Sequence, residues 1–184
     1  MNNDANKPKN NIVKIGVPLI IISALIVMWF LKTQQYPKES AETSPPVHTN
    51  PDFAFDVENE LNLDRLKTYG LPIMIDFGAD YCPPCREIKP TLVKLNAELQ
   101  EKAIIRYVDV QKLPGVAQDF PVQVIPTQVF YDKEGKPYKP SDQNSSKMRT
   151  YLDRNTEEHI FTTHEGIMTY EEILTILREM GMEE

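Results

Sequence analysis

The sequence predicts an α/β domain with a mixed β-sheet, preceded by a single transmembrane helix. Three observations support this prediction: the run Ile15–Leu31 has no ionisable side chain, helical and strand patterns alternate after Phe53, and both cysteines lie between one strand and the following helix. A chain of 184 residues with 41% hydrophobic and 26% charged residues has the composition of a folded protein with one domain or two small ones. The net charge of −7 argues against nucleic-acid binding, which normally accompanies a basic excess.

The N-terminal region predicts a membrane anchor. Residues 12–31 would span about 30 Å as a helix, which matches the hydrocarbon core of a bilayer. Three lysines, Lys7, Lys9 and Lys14, precede the uncharged run Ile15–Leu31 and two follow it; Lys14 falls within residues 12–31 and would reach back to the interface. Residues 1–11 are therefore expected in the cytoplasm and the bulk of the chain outside it, as a single-pass protein of the cell membrane. The alternative is a signal peptide whose cleavage releases a secreted protein, but the apolar run is longer than usual for one and no small-residue cleavage site follows it.

Residues 32–52 predict a flexible linker. Four prolines lie here among mainly polar residues, so the segment has little to bury. His48 in this linker is interpreted as a solvated side chain. The remaining residues, 53–184, have the patterning of a folded domain.

The first half of this domain alternates helices and strands. Apolar spacing predicts a helix over 57–69, and the apolar run 72–78 between helix-breaking residues predicts a buried strand. A long helix follows, because apolar residues recur on one face from Ile88 to Leu99, and Pro90 should kink or restart it. The segment 103–110 predicts a second strand, and strands joined by a helical crossover pair in parallel.

The second half predicts a hairpin and a last helix. A short helical piece is expected around 116–120, followed by a strand over 127–131. The stretch 137–157 is polar and is predicted to be an irregular, solvated insertion. A final strand is predicted over 159–163, and the capping box Thr169-Tyr-Glu-Glu172 should begin the last helix.

The two cysteines form a Cys82-Pro-Pro-Cys85 motif directly after a predicted strand and at the start of the long helix. The unpaired N–H groups and the positive dipole end of a helix N-terminus stabilise a thiolate. A lowered pKa would make Cys82 a nucleophile near neutral pH, and Pro83 is tolerated in the first turn. Cys85, one turn further on, can attack a mixed disulfide at Cys82 and release the product.

Two other interpretations of the motif are weaker. A purely structural disulfide would close so short a loop that it contributes only about 2 kcal/mol, against about 4.7 kcal/mol for a 100-residue loop. A zinc site would need His159 and His164 as further ligands, but 73 residues separate Cys85 from His159, far more than in a compact finger. We therefore favour redox chemistry and expect no metal at the cysteines.

The residues around the motif resemble a known family. The segment Ile75–Pro90, IDFGADYCPPCREIKP, resembles the active-site strand and helix of the thioredoxin superfamily. Ile125-Pro126-Thr127, followed by a strand and an Asp-Lys-Glu-Gly turn, resembles that family's cis-proline loop and hairpin. The resemblance covers about residues 53–184, with 137–157 unmatched. It implies a thioredoxin fold, a central mixed sheet flanked by helices, in a membrane-bound extracytoplasmic member of the superfamily.

The resemblance also implies catalytic roles. Cys82 would be the attacking thiol and Cys85 the resolving thiol, forming a redox-active disulfide. Asp76 matches the family's buried aspartate, which assists proton transfer to or from the resolving cysteine. A carboxyl group with a raised pKa can exchange protons near pH 7. The alternative is an ordinary aspartate at a strand edge.

A substrate-binding surface is implied as well. Pro126 would follow a cis peptide bond, and the Ile125 backbone would pair with an extended substrate. Thr127 would be an edge contact, and Tyr81 stands where thioredoxins usually have Trp.

The function implied is thiol–disulfide exchange on extracytoplasmic proteins, with no cofactor. Expected partners are client proteins with thiols or disulfides and a membrane thiol electron donor, and a monomer is expected. Tethered relatives often act reductively, so a reductase is favoured over an oxidase, but the Pro-Pro pair replaces thioredoxin's Gly-Pro and leaves the direction open. The alternatives are a tethered binding module without turnover and a small metal-binding domain.

Overall fold

The computed structural model describes residues 50–183 and the pair 27–28. The predicted cytoplasmic segment, nearly all of the predicted anchor and most of the predicted linker lie outside the described residues. Within those described ranges, no helix combines the length and the apolar character needed to cross a bilayer. The anchor, its orientation and the domain limits remain predictions.

The domain is built around one five-stranded mixed sheet. The strands are β1 (Ile73–Gly78), β2 (Ile104–Asp109), β3 (Thr127–Tyr131), β4 (Met148–Leu152) and β5 (His159–Glu165). Their order across the sheet is β2-β1-β3-β5-β4. β1 and β2 pair in parallel, and the other pairs are antiparallel. This confirms the predicted parallel first half and the antiparallel second half.

Helices cover both faces of the sheet. They are α1 (Leu63–Lys67), α2 (Pro83–Glu98), α3 (Pro114–Gln118), α4 (Asp142–Ser145) and α5 (Tyr170–Glu179). The apolar sides of α2 and α5 pack on one face together with Met74 and Phe130. The opposite face carries Ile75 and Phe77, with α1 and α3 against it. We call these the α2/α5 face and the α1/α3 face.

Two predicted helices are well reproduced. The predicted long helix is α2, and Pro90 lies inside it without ending it. The capping box of α5 is present: the Thr169 side chain accepts from the backbone N–H of Glu172, whose side chain accepts from the backbone N–H of Thr169. Local signals sufficed in both cases, because capping and apolar spacing act within one or two turns.

The predicted helix over 57–69 is wrong in its first half. The backbone N–H of Val57 donates to the carbonyl of Tyr107 at 2.9 Å, and the N–H of Tyr107 donates to the carbonyl of Phe55 at 2.8 Å. This segment therefore runs beside β2 in extended form. The helix α1 begins only after Asn62, whose side chain accepts from the N–H of Arg65 at 2.9 Å.

The prediction that residues 137–157 are irregular is also wrong, whereas the prediction that they are solvated holds for all of them except Tyr138, since the others are exposed or half-buried. The segment contains α4 and the whole of β4, which forms the edge of the sheet by pairing with β5. Tyr138 is buried in the core of the α2/α5 face, where its hydroxyl donates to Glu179. The alternation of the strand was hard to see because β4 is an edge strand with several exposed side chains.

Candidate active site

The N-terminus of α2 holds the two cysteines. β1 ends at Gly78, and a tight turn follows in which the N–H of Cys82 donates to the carbonyl of Ala79 at 3.1 Å. Cys82 is the N-cap residue of α2, and its Sγ accepts from the N–H of Cys85 at 3.3 Å. Pro83 occupies the first turn, where a missing N–H costs no helical hydrogen bond. The Cys82 sulfur therefore lies at the positive end of the helix dipole.

The two cysteines are joined in a disulfide, and Cys82 is the more exposed residue of the two. Cys82 is 6% exposed and Cys85 only 1% exposed. The neighbouring Tyr81 is 64% exposed. An incoming molecule can therefore reach Cys82 more easily than Cys85, as an attacking and a resolving thiol require.

The loop before β3 contacts the outer cysteine. The Ile125–Pro126 peptide bond is cis, and the Ile125 carbonyl oxygen lies 3.7 Å from Cys82 Sγ. The Thr127 hydroxyl donates to the Val124 carbonyl at 2.7 Å, which ties the two ends of the loop together. The fold thus brings Ile125 and Pro126 to the disulfide, while Thr127 is buried and holds the loop.

Asp76 is fully buried in the middle of β1. Burial raises its pKa to about 7, although the hydrogen bond from Gln128 and the charge of Lys89 act in the opposite direction. The Gln128 Nε2 group donates to Asp76 Oδ1 at 2.6 Å. Among the described residues, no group hydrogen-bonds the other carboxyl oxygen, Oδ2. Asp76 is therefore a buried carboxyl group that can gain or lose a proton near neutral pH.

Asp76 and the disulfide share one face of the sheet. Gly78 lies two residues after Asp76, so it points to the same side of β1. A Cβ atom on Gly78 would lie 3.3 Å from Cys85 Cβ and 2.9 Å from a ring carbon of Tyr107. The glycine thus lets Cys85 and the Tyr107 ring approach the strand closely, on the side of β1 that also carries Asp76.

Lys89 on α2 brings a positive charge to the same region. Its Nζ lies 4.3 Å from the centre of the Tyr107 ring and 3.5 Å from Asp80 Oδ1. Lys89 and Lys112 hold the pKa of Asp80 below its usual value. Burial, followed by the charge of Asp109, raises the pKa of Tyr107, so its hydroxyl stays protonated at neutral pH.

The histidines considered for a zinc site have other partners. The His159 Nε2 atom lies 2.8 Å from the Thr162 hydroxyl, and the His164 Nδ1 atom lies 2.8 Å from Gln128 Oε1. In the part of the chain that the structure describes, no group of three or more His, Cys, Asp or Glu residues could hold a metal ion.

Gln128 is the site residue that the sequence reasoning missed. It lies in the buried strand β3 and is fully buried itself. A polar residue in the otherwise apolar run Gln128–Tyr131 was the available signal, because a buried amide needs hydrogen-bond partners. Its partner could not be read from the sequence, since Asp76 lies 52 positions away.

Comparison with known proteins gives one family and a set of relatives. The thioredoxin family model matches residues 56–154, more than half of the chain. Thioredoxin H4 of Arabidopsis thaliana is 43% identical over 70 residues, which are 38% of this chain and 59% of that protein. Thioredoxin 1 of Chlorobaculum tepidum is 37% identical over 68 residues, which are 37% of this chain and 67% of that protein. The crystal structure of Fasciola hepatica thioredoxin aligns with 68% of this chain and 99% of its own, at 23% identity and a TM-score of 0.47.

Proposed function

The chain belongs to the thioredoxin family, and from this premise we propose that it is a thiol–disulfide oxidoreductase acting on extracytoplasmic protein clients. The observation that carries the proposal is the Cys82–Cys85 disulfide at the N-terminus of α2, with Cys82 as the more exposed cysteine. A helix N-terminus favours the thiolate, which is the form that attacks a disulfide.

In the proposed reaction the reduced protein attacks first through Cys82. The Cys82 thiolate forms a bond to one client sulfur, and the client disulfide breaks, so that the second client sulfur leaves as a thiolate and takes up a proton. Cys85 then loses its proton to Asp76 and attacks Cys82 Sγ. The mixed disulfide breaks, the Cys82–Cys85 bond forms, and the first client sulfur leaves as a thiolate. The client gains two electrons and the protein loses two.

The client would bind at the exposed apolar side chains around Cys82. Tyr81, Val124 and Ile167 are 64%, 50% and 43% exposed, and Ile167 follows Gly166, whose N–H donates to the Pro126 carbonyl at 2.9 Å. We propose that the Ile125 backbone pairs with an extended client segment here, with Pro126 and Thr127 shaping the loop. Exposed apolar groups beside a reactive sulfur suit an unfolded or partly folded polypeptide.

The direction of electron flow and the location complete the proposal. We propose that the protein reduces its clients, that a membrane thiol protein returns the electrons, and that residues 12–31 anchor it with the domain outside the cytoplasm. The support for the location is the uncharged run Ile15–Leu31 and the excess of lysines before it.

The roles of the two cysteines are tested by trapping. Cys85→Ser should accumulate a mixed disulfide with a client, because the resolving thiol is absent, whereas Cys82→Ser should accumulate none. Non-reducing electrophoresis of the full chain after alkylation measures both. Equal trapping by the two variants would reject the assignment. An inability of the native protein to reduce insulin with a thiol donor would favour a binding module without turnover.

The direction is tested by the reduction potential of the cysteine pair. Equilibration with glutathione buffers followed by alkylation gives this potential. A value near −270 mV is typical of reductive work and one near −120 mV of an oxidant. The oxidant value would overturn the reductase proposal but leave thiol–disulfide exchange intact.

The anchor is tested on the full chain in its membrane. It should stay in the pellet after alkaline carbonate extraction, and protease added from outside should digest the domain. Release into the supernatant at a mass that lacks the first 31 residues would instead identify a cleaved signal peptide.

A further inference from the structure

Side chains from three strands form one hydrogen-bonded row beneath the disulfide. Asp76 on β1 is the register partner of Gln128 on β3, and Gln128 is the register partner of His164 on β5. Gln128 Nε2 lies 2.6 Å from Asp76 Oδ1, and Gln128 Oε1 lies 2.8 Å from His164 Nδ1. We call these three residues the Asp76–Gln128–His164 row.

The chemistry of the row fixes the orientation of each group. Gln128 Nε2 also lies 3.1 Å from the Gly166 carbonyl oxygen, so it faces two acceptors and must be the amide nitrogen. Gln128 Oε1 therefore faces His164, and because this oxygen only accepts, His164 Nδ1 must carry a hydrogen. Both amide hydrogens and the amide oxygen of Gln128 thus have partners.

This arrangement assigns different tasks to the two oxygens of Asp76. Oδ1 accepts the Gln128 hydrogen bond, whereas Oδ2 receives no hydrogen bond from the described residues. A proton that arrives at the carboxyl group would therefore bind Oδ2. Rotation of the carboxyl group would break the 2.6 Å bond from Gln128, so this bond favours the orientation in which Oδ2 is the free oxygen.

We propose that Gln128 and His164 are positioning residues, which hold the Asp76 carboxyl group so that Oδ2 takes the proton of Cys85 in the resolving step. His164 acts through Gln128: its Nδ1–H holds the amide with the nitrogen toward Asp76. This inference rests on the proposed function, because it assigns residues to the proton transfer of the same reaction. Asp76 accepts the proton as the Cys85 thiolate forms, and Cys85 then bonds to Cys82 while the client sulfur leaves.

The row has charged and titratable neighbours that any pH measurement must take into account. Around Asp76 they are Lys89 on α2, Tyr107 on β2 and His164 on β5. Around His164 they are Lys147, Glu165 and Glu172. Burial is the main cause that lowers the pKa of His164, so this side chain is neutral at pH 7 and acts as a hydrogen-bond donor rather than a charge. None of these neighbours is altered in the variants proposed here, apart from His164 itself.

The experiment measures the titration of Asp76 in the oxidised full chain and its variants. Aspartate labelled with ¹³C at the carboxyl carbon gives one signal for Asp76, which is identified by its loss in Asp76→Asn. Gln128→Leu removes the hydrogen-bond donor that stabilises the charged carboxylate. The midpoint of the Asp76 titration should therefore rise by about 1 pH unit, which is the shift that the loss of one hydrogen bond to a charged group produces. From a pKa of about 7, this change would slow the resolving step about fivefold at pH 7 and very little at pH 9.

His164 supplies a matched pair of variants that does not depend on Gln128→Leu folding. His164→Leu removes the donor to Gln128 and should raise the Asp76 midpoint by about half a unit. His164→Asn places an amide N–H near the position of Nδ1, so the midpoint should return to within about 0.2 units of the native value. His159→Leu, on the same strand but outside the row, should leave the midpoint unchanged.

Two results would overturn the inference. One is a native midpoint in a folded His164→Leu or Gln128→Leu protein, and the other is equal shifts in His164→Leu and His164→Asn. The titration needs no turnover, so it separates this inference from the proposed function. If the native protein reduced insulin but the Asp76 midpoint in the Gln128 and His164 variants equalled the native value, the proposed function would stand. The positioning roles of Gln128 and His164 would be rejected.

Discussion

Strand β1 turns Ile73, Ile75 and Phe77 toward the α1/α3 face of the sheet and Met74, Asp76 and Gly78 toward the α2/α5 face. All six residues are buried, yet their chemistry differs. The α1/α3 side of the strand has only apolar side chains, whereas the other side carries a carboxyl group and a glycine beside the disulfide. One strand thus stabilises the fold with one side and supports the reactive sulfurs with the other. Substitutions on the α1/α3 side should change stability equally at every pH, whereas a substitution of Asp76 on the other side should change how stability depends on pH.

The largest expected effect on stability comes from removing an aromatic ring from the α1/α3 face. Phe77 is fully buried, and its ring centre lies 4.9 Å from that of Phe120. Phe77→Ala should lower the free energy of unfolding by about 3–5 kcal/mol, because it leaves a cavity. Urea unfolding at pH 5 and pH 8 checks this, and the cost should be equal at both pH values. A cost that depends strongly on pH would contradict the division between the two faces.

Asp76→Asn should change how stability depends on pH. The folded protein raises the pKa of Asp76 from 3.8 to about 7, so the native state binds this proton more tightly than the unfolded state does. The contribution of Asp76 to stability is therefore complete below pH 4, falls as the pH rises to about 7 and is constant above it. Relative to Asp76→Asn, the native protein should lose on the order of 3 kcal/mol between pH 4 and pH 8.

Urea unfolding of the oxidised proteins across this pH range measures the difference. The Phe77→Ala protein is the control, because its difference from the native protein should not vary with pH. If the free energies of unfolding of the native protein and of Asp76→Asn changed with pH in parallel, the pKa of Asp76 would be the same in the folded and unfolded states. Asp76 would then not be the proton acceptor near pH 7.

Gly78→Ala, on the α2/α5 side of β1, should destabilise the protein less than Phe77→Ala does. The added methyl group would lie 2.9 Å from a ring carbon of Tyr107 and 3.3 Å from Cys85 Cβ, so one of these must move. We expect a loss of about 1–3 kcal/mol, as is usual for overpacking. Gly115→Ala is the matched control. Apart from its chain neighbours and the backbone of its own helix, no described atom lies within 4 Å of the new methyl group, and the position is helical, so a gain of about 0.4–1 kcal/mol is expected. Equal effects of the two substitutions would rule out the close contact.

The smallest expected effect refines the comparison within β1. Ile75→Val removes one methylene from the α1/α3 side, next to Asp76 in sequence but on the other face. It should cost about 1 kcal/mol and leave the Asp76 titration at its native midpoint. Carboxyl NMR of the variant provides the measurement, and a displaced midpoint would show that the two faces are coupled through the backbone.

Much of the fold follows from local patterns in the sequence. The apolar run of β1, the spacing from Ile88 to Leu99 and the capping box at Thr169 predicted elements that the structure confirms. The errors fall where distant segments decide the outcome. Residues 55–57 are extended because they pair with Tyr107, and β4 forms because β5 offers it a partner. Backbone groups satisfy their hydrogen bonds wherever the tertiary structure offers partners, and local propensity does not reveal those partners.

The sequence by itself determined that the Cys82-Pro-Pro-Cys85 motif lies between a strand and a helix. This placement also puts the Cys82 sulfur at the positive end of the helix dipole. These features depend on residues a few positions apart. Only the tertiary structure decided that Asp76, Gln128 and His164 form one row, because their hydrogen bonds join residues 52 and 36 positions apart. Such contacts are set by the order and register of the strands, and the packing of the whole sheet fixes both.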